Sequence, residues 1–179
     1  MGGADQQERL SHTKDARWFL AGFIEGEGCL TVSIKSHPGA RFGYYVDPEF
    51  FLYQHKSGRR LLELARDVFQ TGRIYPKPGN PDVLIFAITA RRSLEEKVVP
   101  FFERYVVPFS CKSDTFRRFR EILEMMERKK HLSPDGLARV VEKAYAMNPA
   151  GKGRQRLRPL AEVRERILRG HTPNIPISG

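Results

Sequence analysis

The sequence predicts an α+β fold: a helix, two strands, a helix, two strands and then helices, an αββαββα core with a curved antiparallel sheet and C-terminal helices. Three observations predict it. Leu30, Val32 and Ile34 alternate with Thr31, Ser33 and Lys35, the period of a strand with one buried and one exposed face. Residues 59–69 instead carry Leu61, Leu62, Leu64, Ala65 and Val68 as a helical stripe. Between two later apolar runs, Pro78-Gly79-Asn80-Pro81 concentrates turn formers and reads as the loop of a hairpin.

The elements follow in order. Residues 14–26 form the first helix, and Gly28 suits the left-handed cap that stops it. After the strand around Leu30, residues 37–47 contain Pro38, Gly39 and Gly43 and read as a flexible connection. A second, aromatic-rich strand covers residues 49–56. Gly72 follows the second helix, and residues 72–77 and 82–89 are the hairpin strands. Residues 94–105 are helical until Pro108. Phe116, Phe119, Ile122, Leu123 and Met126 then recur at helical spacing within residues 113–129 and read as core. Ser133 and Pro134 supply an N-cap and a first-turn proline, and residues 159–168 make a last short helix. No segment is an internal copy of another, so the chain is a single repeat.

Length and charge narrow the function. A chain of 179 residues with 40% hydrophobic residues reads as one domain, 1–179, with residues 1–13 and 170–179 as flexible ends. Lys and Arg number 31 against 21 Asp and Glu, a formal charge of +10 that favours a polyanion, most simply nucleic acid. No apolar run reaches the roughly 18 residues that span a bilayer, so no membrane partner is expected. Cys29 and Cys111 have no paired spacing; they read as reduced thiols of an intracellular, reducing compartment, a bacterial cytoplasm or an organelle, and not as zinc ligands.

The densest signal is Leu20-Ala21-Gly22-Phe23-Ile24-Glu25-Gly26-Glu27-Gly28. Gly22 and Gly26 stand four apart, share one helix face and let another backbone approach closely, flanked by Phe19, Phe23 and Ile24. Glu25 and Glu27 sit at the helix C-terminus, where the macrodipole disfavours acids. Either they are solvated acids at a helix end, or the broken rule marks a functional site. These nine residues resemble the LAGLIDADG motif of homing endonucleases and intron maturases, with Phe at the fourth position and Glu-Gly-Glu for Asp-Ala-Asp. Gln54, Gly72, the segment Cys111-Lys112-Ser113-Asp114-Thr115-Phe116, and Ala144 to Asn148 followed by Gly151-Lys152-Gly153-Arg154 extend the resemblance from about Asp15 to Arg169. The match is to the single-motif, homodimeric branch encoded in ribosomal RNA introns.

The resemblance implies the αββαββα LAGLIDADG fold and a site-specific nuclease. Such an enzyme cuts both strands of a long, nearly palindromic duplex across the minor groove, leaves a short 3′ overhang and promotes intron mobility. One motif supplies one acid, so a two-fold dimer is required to cut two strands, with Phe19, Gly22, Phe23, Glu25 and Gly26 at its interface. Two Glu27 side chains brought together would repel unless divalent cations lay between them. Glu27, with Gly26 beside it, is therefore the implied metal position. Mg2+ is the expected ion; Mn2+ should substitute, and Ca2+ should support binding without cleavage. Carried over by position, Gln54 orients solvent and Lys112 balances transition-state charge. Gly58 stands where the family has an arginine, which leaves Arg59 as a neighbouring basic group.

Base reading falls to the sheet, which a major groove admits. The expected outward set is Ser33, Lys35, Arg41, Tyr44, Tyr75, Lys77 and Asp82, with Phe51 and Tyr53 as aromatic members. Lys152, Arg154, Arg156 and Arg158 form a basic run suited to phosphate positioning. Double-stranded DNA is the expected partner, with intron RNA as a further one. The alternative reading is an intron RNA maturase, or a DNA-binding relative without cleavage.

Overall fold

Thr13 starts the first helix by accepting the Ala16 N–H on its hydroxyl at 3.1 Å, which satisfies a donor the first turn leaves open. From there the computed structural model describes residues 13–147 and 158–170. Helix α1 is Lys14–Glu27, with Asp15 in its first turn, where the macrodipole favours a negative charge. Strand β1, Gly28–Ser36, follows without a linker. Strand β2 is Tyr44–His55 and begins five residues before the aromatic run read from the sequence. A 3₁₀ turn, Lys56–Gly58, leads into helix α2, Arg59–Phe69. Strands β3, Arg73–Lys77, and β4, Asn80–Ile88, form the hairpin.

The hairpin loop is shorter than the turn-forming tetrapeptide suggested. Lys77 pairs with Asn80, so only Pro78 and Gly79 lie in the turn. Gly79 takes a φ of 77°, a conformation that costs glycine nothing. The sheet has the order β1-β2-β4-β3. β2 and β4 are antiparallel with Phe50 opposite Ile88 and Gln54 opposite Leu84, and β3 runs antiparallel to β4 with Tyr75 opposite Ile85.

Residues 91–109 form one composite helical segment, α3. It alternates the α turns Arg91–Ser93 and Val99–Phe101 with the π turns Leu94–Val98 and Phe102–Val106, and ends in the 3₁₀ turn Val107–Phe109. The N–H groups of Val99 and Val107 reach back five residues, to the carbonyls of Leu94 and Phe102. Pro100, which has no N–H, sits between the two wide turns. Helices α4, Ser113–Glu127, α5, Pro134–Ala146, and α6, Leu160–Leu168, follow. As the sequence predicts, Ser133 caps α5 by accepting the Gly136 N–H at 3.2 Å.

The described residues divide into two compact units, 13–30 with 49–116, and 31–48 with 117–147 and 158–170. In the first, Phe50 and Phe86 of the sheet meet Phe69 of α2 and Phe102 of α3, with ring centroids 5.5–6.5 Å apart. α1 buries Leu20, Ala21 and Ile24 in the same unit. In the second, Phe119, Ile122 and Leu123 of α4, Val140, Val141 and Ala144 of α5, and Val163 and Ile167 of α6 are buried, as are Val32 and Val46. The positively charged run Lys152, Arg154 and Arg156, and the expected flexible ends apart from Thr13 and Gly170, lie outside the described residues.

Candidate functional site

The last turn of α1 contains two acids and no base, an arrangement its own dipole opposes. The compensating charge arrives from far along the chain. Lys112 Nζ donates to the carbonyl of Gly28 at 2.9 Å and to that of Ile24 at 3.3 Å, holding the helix exit. Gly28 is not in the left-handed cap conformation expected from the sequence; at φ −79° and ψ 138° it is already strand, with its N–H still bonded to the Ile24 carbonyl. Glycine is needed there for space. A β-carbon would lie 2.5 Å from the Ile24 oxygen.

Glu25 is held within its own unit. The Ser110 hydroxyl donates to its Oε2, while the Cys111 N–H and thiol donate to Oε1 at 3.2 and 3.0 Å. The Lys112 N–H returns to Ser110 Oγ at 2.9 Å. Burial pushes the Glu25 carboxyl upward, but the bonds from the Cys111 thiol, the Ser110 hydroxyl and the Cys111 N–H, with the Lys112 charge, outweigh it and hold the group below its ordinary value. The same thiol bond, with the Glu25 charge, raises Cys111. Cys29, next to the helix exit, is raised by burial and partly relieved by Lys112.

Glu27 is different. It is exposed, and no ion pair or hydrogen bond engages its carboxylate among the described residues. Beside it runs an open face of α1: Trp18, Phe19, Gly22 and Gly26 are exposed, Phe19 by 59%, and a β-carbon on either glycine would have nothing within 4 Å among the described residues. Trp18 extends that face by packing edgewise on Tyr105 and on Phe109. Phe23 is half-buried at its margin.

Gln54, half-buried near the end of β2, accepts the His55 N–H on Oε1 at 2.8 Å. Its carboxamide folds over Gly58, where a β-carbon would stand 2.7 Å from Cγ. Arg59 turns along α2 to Glu63 at 2.8 Å.

Register fixes one face of the sheet in this unit. Tyr53, Ile85 and Tyr75 stand side by side across β2, β4 and β3, with Phe51, Ala87 and Arg73 in the next row. Lys77 Nζ lies 5.7 Å from the Tyr53 ring centroid, a cation–π distance. Burial raises the Tyr53 phenol, and Cys29, Tyr75 and Glu49 reinforce the shift. Asp82 pairs with Lys56 at 2.7 Å. Arg73 belongs to this face and was missed from sequence; the Arg73, Tyr75, Lys77 alternation was the available signal.

In the other unit Lys35 is exposed and bonds Asp47 at 2.8 Å, and Ser33 is half-buried. Tyr44 is not outward: it is 4% exposed, in the buried even-numbered series of β2 with Val46, and Arg166 lies over its ring. Tyr45, 47% exposed, takes the outward place. Arg41 lies in the loop between β1 and β2, off the sheet, and reaches the Leu132 carbonyl at 3.5 Å. Arg117 and Arg120 pair with Glu121 and Glu124 along α4, and Arg118 bonds the Ala146 carbonyl.

Comparison with known proteins agrees with this architecture. The LAGLIDADG endonuclease family profile matches residues 20–123. The chain is 44% identical over 128 residues to DNA endonuclease I-CeuI of Chlamydomonas moewusii, covering 70% of this chain and 59% of that enzyme. It is 29% identical over 147 residues to homing endonuclease I-ApeII of Aeropyrum pernix, covering 81% and 86%. Among solved structures, the group I intron-encoded homing endonuclease I-CeuI complexed with DNA superposes with a TM-score of 0.80 at 35% identity, over 87% of this chain and 77% of that one. The archaeal intron-encoded homing endonuclease I-Vdi141I complexed with DNA gives 0.78 at 30% identity, over 86% and 94%. The motif on α1, the strand order and the family profile converge, and the chain belongs to the LAGLIDADG endonuclease family.

Proposed function

We propose that the protein is a homodimeric, site-specific homing endonuclease that hydrolyses both strands of a long, nearly palindromic DNA target. One observation carries this reading: among the described residues Glu27 stands exposed and unengaged beside the open Gly22 and Gly26 face, while its neighbour Glu25 is consumed by its own chain. A second copy packed on that face brings two Glu27 carboxylates together about a two-fold axis, matching the symmetry of the two phosphates to be cut.

The donors offered are hard oxygens, the Glu27 carboxylate and the Gly26 carbonyl, in the turn where a helix leaves carbonyls unpaired. Among the described residues no three acidic, His or Cys side chains converge within one chain, so the fit favours a shared site with Mg2+ or Mn2+. When bound, such an ion supplies water activation and charge stabilisation for in-line displacement at phosphorus. Gln54 orients solvent near the acid, and the face built from Phe51, Tyr53, Arg73, Tyr75 and Lys77 lies in a major groove.

The test selects cleaved sites from a randomised duplex library around the intron insertion point, comparing the wild type with Glu27→Gln. The wild type should linearise selected targets in Mg2+. Glu27→Gln should neither nick nor linearise them, yet still bind in Ca2+. Normal cutting by Glu27→Gln overturns the metal assignment. Tight binding of intron RNA without cutting in Mg2+ or Mn2+ would establish the maturase reading instead.

A further inference from the structure

We propose that Ser110, Cys111 and Lys112 are positioning residues that together clasp the end of α1 and fix the direction in which Glu27 leaves it. Lys112 acts through the Gly28 and Ile24 carbonyls, not on the reacting phosphate. The inference rests on the nuclease reading of Glu27 given above.

Six contacts define the clasp. Lys112 Nζ bridges the carbonyls that bracket Glu27, one at residue 24 and one at residue 28. The preceding two residues place three donors on Glu25, the next acid in the same turn. The clasp is closed on itself, because the Lys112 N–H bonds Ser110 Oγ. No residue of α1 could do this work, since its last turn carries no base.

The physical need is specific to this helix end. Glu25 and Glu27 add negative charge to the negative end of the macrodipole, so the turn is pushed to fray. Fraying would swing Glu27, whose carboxylate has no other partner among the described residues. An ammonium that neutralises the carbonyl end, and a carboxylate tied to three donors, hold the turn while leaving Glu27 free for chemistry. Outer groups that orient a working ligand are commonly worth 10- to 100-fold in activity. Two of the three donors of the Lys112 ammonium are committed to these carbonyls, which ties its charge to the helix exit.

The experiment reads the helix end directly, by hydrogen–deuterium exchange over residues 24–30 in the DNA-free protein, alongside single-turnover cleavage and DNA affinity in Ca2+. Lys112→Met and the double variant Ser110→Ala/Cys111→Ala should both speed exchange there. Both should lower the cleavage rate about 10- to 100-fold and keep DNA affinity. Ser110→Thr/Cys111→Ser, which keeps both side-chain donors, should restore the wild-type pattern. If Lys112→Met does not fold, the two double variants carry the test. Unchanged exchange in Lys112→Met with a lost cleavage rate, and wild-type cleavage by Ser110→Ala/Cys111→Ala, would overturn the clasp and make Lys112 a catalytic residue. Failure of the nuclease reading shows separately, as normal cutting by Glu27→Gln, whatever the exchange data give.

Discussion

A β-carbon on Gly58 would stand 2.7 Å from Cγ and 2.9 Å from Cδ of Gln54, so Gln54 holds its carboxamide in space that only glycine leaves. The family resemblance sets an arginine at this position, and here the position serves the Gln54 conformation instead. Gly58→Ala should therefore redirect Gln54 at a stability cost of about 1 kcal/mol, in the range for mild overpacking. Cleavage should fall with DNA affinity retained. The check is a double-mutant cycle: in a Gln54→Ala background, Gly58→Ala should lose most of its effect on the cleavage rate. Additive losses would separate the two residues.

The glycines of the motif divide by what surrounds them. Gly28 faces the Ile24 carbonyl at a distance backbone cannot yield, so Gly28→Ala should cost about 1–3 kcal/mol in urea unfolding of the chain itself. Gly22 and Gly26 face nothing within 4 Å among the described residues. Leucine at either position should leave the fold intact and shift the protein to monomer in sedimentation, because a close backbone approach between copies cannot absorb a branched side chain. A stable dimer of Gly22→Leu would remove the proposed interface from this face.

Stability should decline in acid for reasons the geometry names. Glu25 and Glu121 are both held below the ordinary carboxylate value of 4.5 in the folded chain. For Glu25 burial acts upward but is outweighed by its hydrogen bonds from Cys111 and Ser110; for Glu121 the Lys143 hydrogen bond dominates. A depressed carboxyl stabilises the fold above its unfolded pKa, and that contribution is lost as pH falls through the folded one. Thermal melts should therefore drop progressively below about pH 4.5. Glu25→Gln and Glu121→Gln should each be less stable than wild type at pH 7 and lose less on acidification. An unchanged acid slope in either variant would contradict its assignment.

What was legible in the sequence is what local chemistry decides. The Leu30, Val32 and Ile34 alternation, the Ser133 cap and the α2 stripe depend on residues within a few positions of one another; the strand, the cap and the helix form where read, although Ile34, Leu61, Leu64 and Val68 are only half-buried and Phe69 joins Leu62 and Ala65 in the core. Boundaries slipped where a partner strand decides them: pairing with Lys77 draws Asn80 and Pro81 into β4. A strand that starts at residue 49 leaves Tyr44 outside it and hides its shared parity with Val46, which the longer β2 reveals. The least legible features are the longest-range ones. Nothing near Glu25 in sequence announces Ser110, 85 residues away, and an acidic helix end looked like a rule broken when its counter-charge was Lys112. The π turns of α3 were equally hidden, since the apolar spacing of Leu94, Val98, Phe101, Phe102 and Tyr105 fits a plain helix.

Arg73 offers the sharpest test of the reading face. It is exposed at the start of β3, opposite Ala87, and shares its face with Tyr75, two residues on, and with the Tyr53 and Ile85 row. A guanidinium beside an apolar aromatic row suits a guanine edge next to a thymine methyl, since arginine forks to the two guanine acceptors and aromatic carbon packs on the methyl. Arg73→Ala should thus relax base preference at one position per half-site by about 1–3 kcal/mol, read from the cleaved fraction of a randomised target library. Lys77, whose ammonium sits over Tyr53, should behave differently. Lys77→Ala should weaken binding to all duplexes and lower the slope of log affinity against log salt by about two, one phosphate on each of two subunits. If Arg73→Ala instead flattens the salt slope and leaves every base preference in place, it contacts the backbone and the guanine assignment fails.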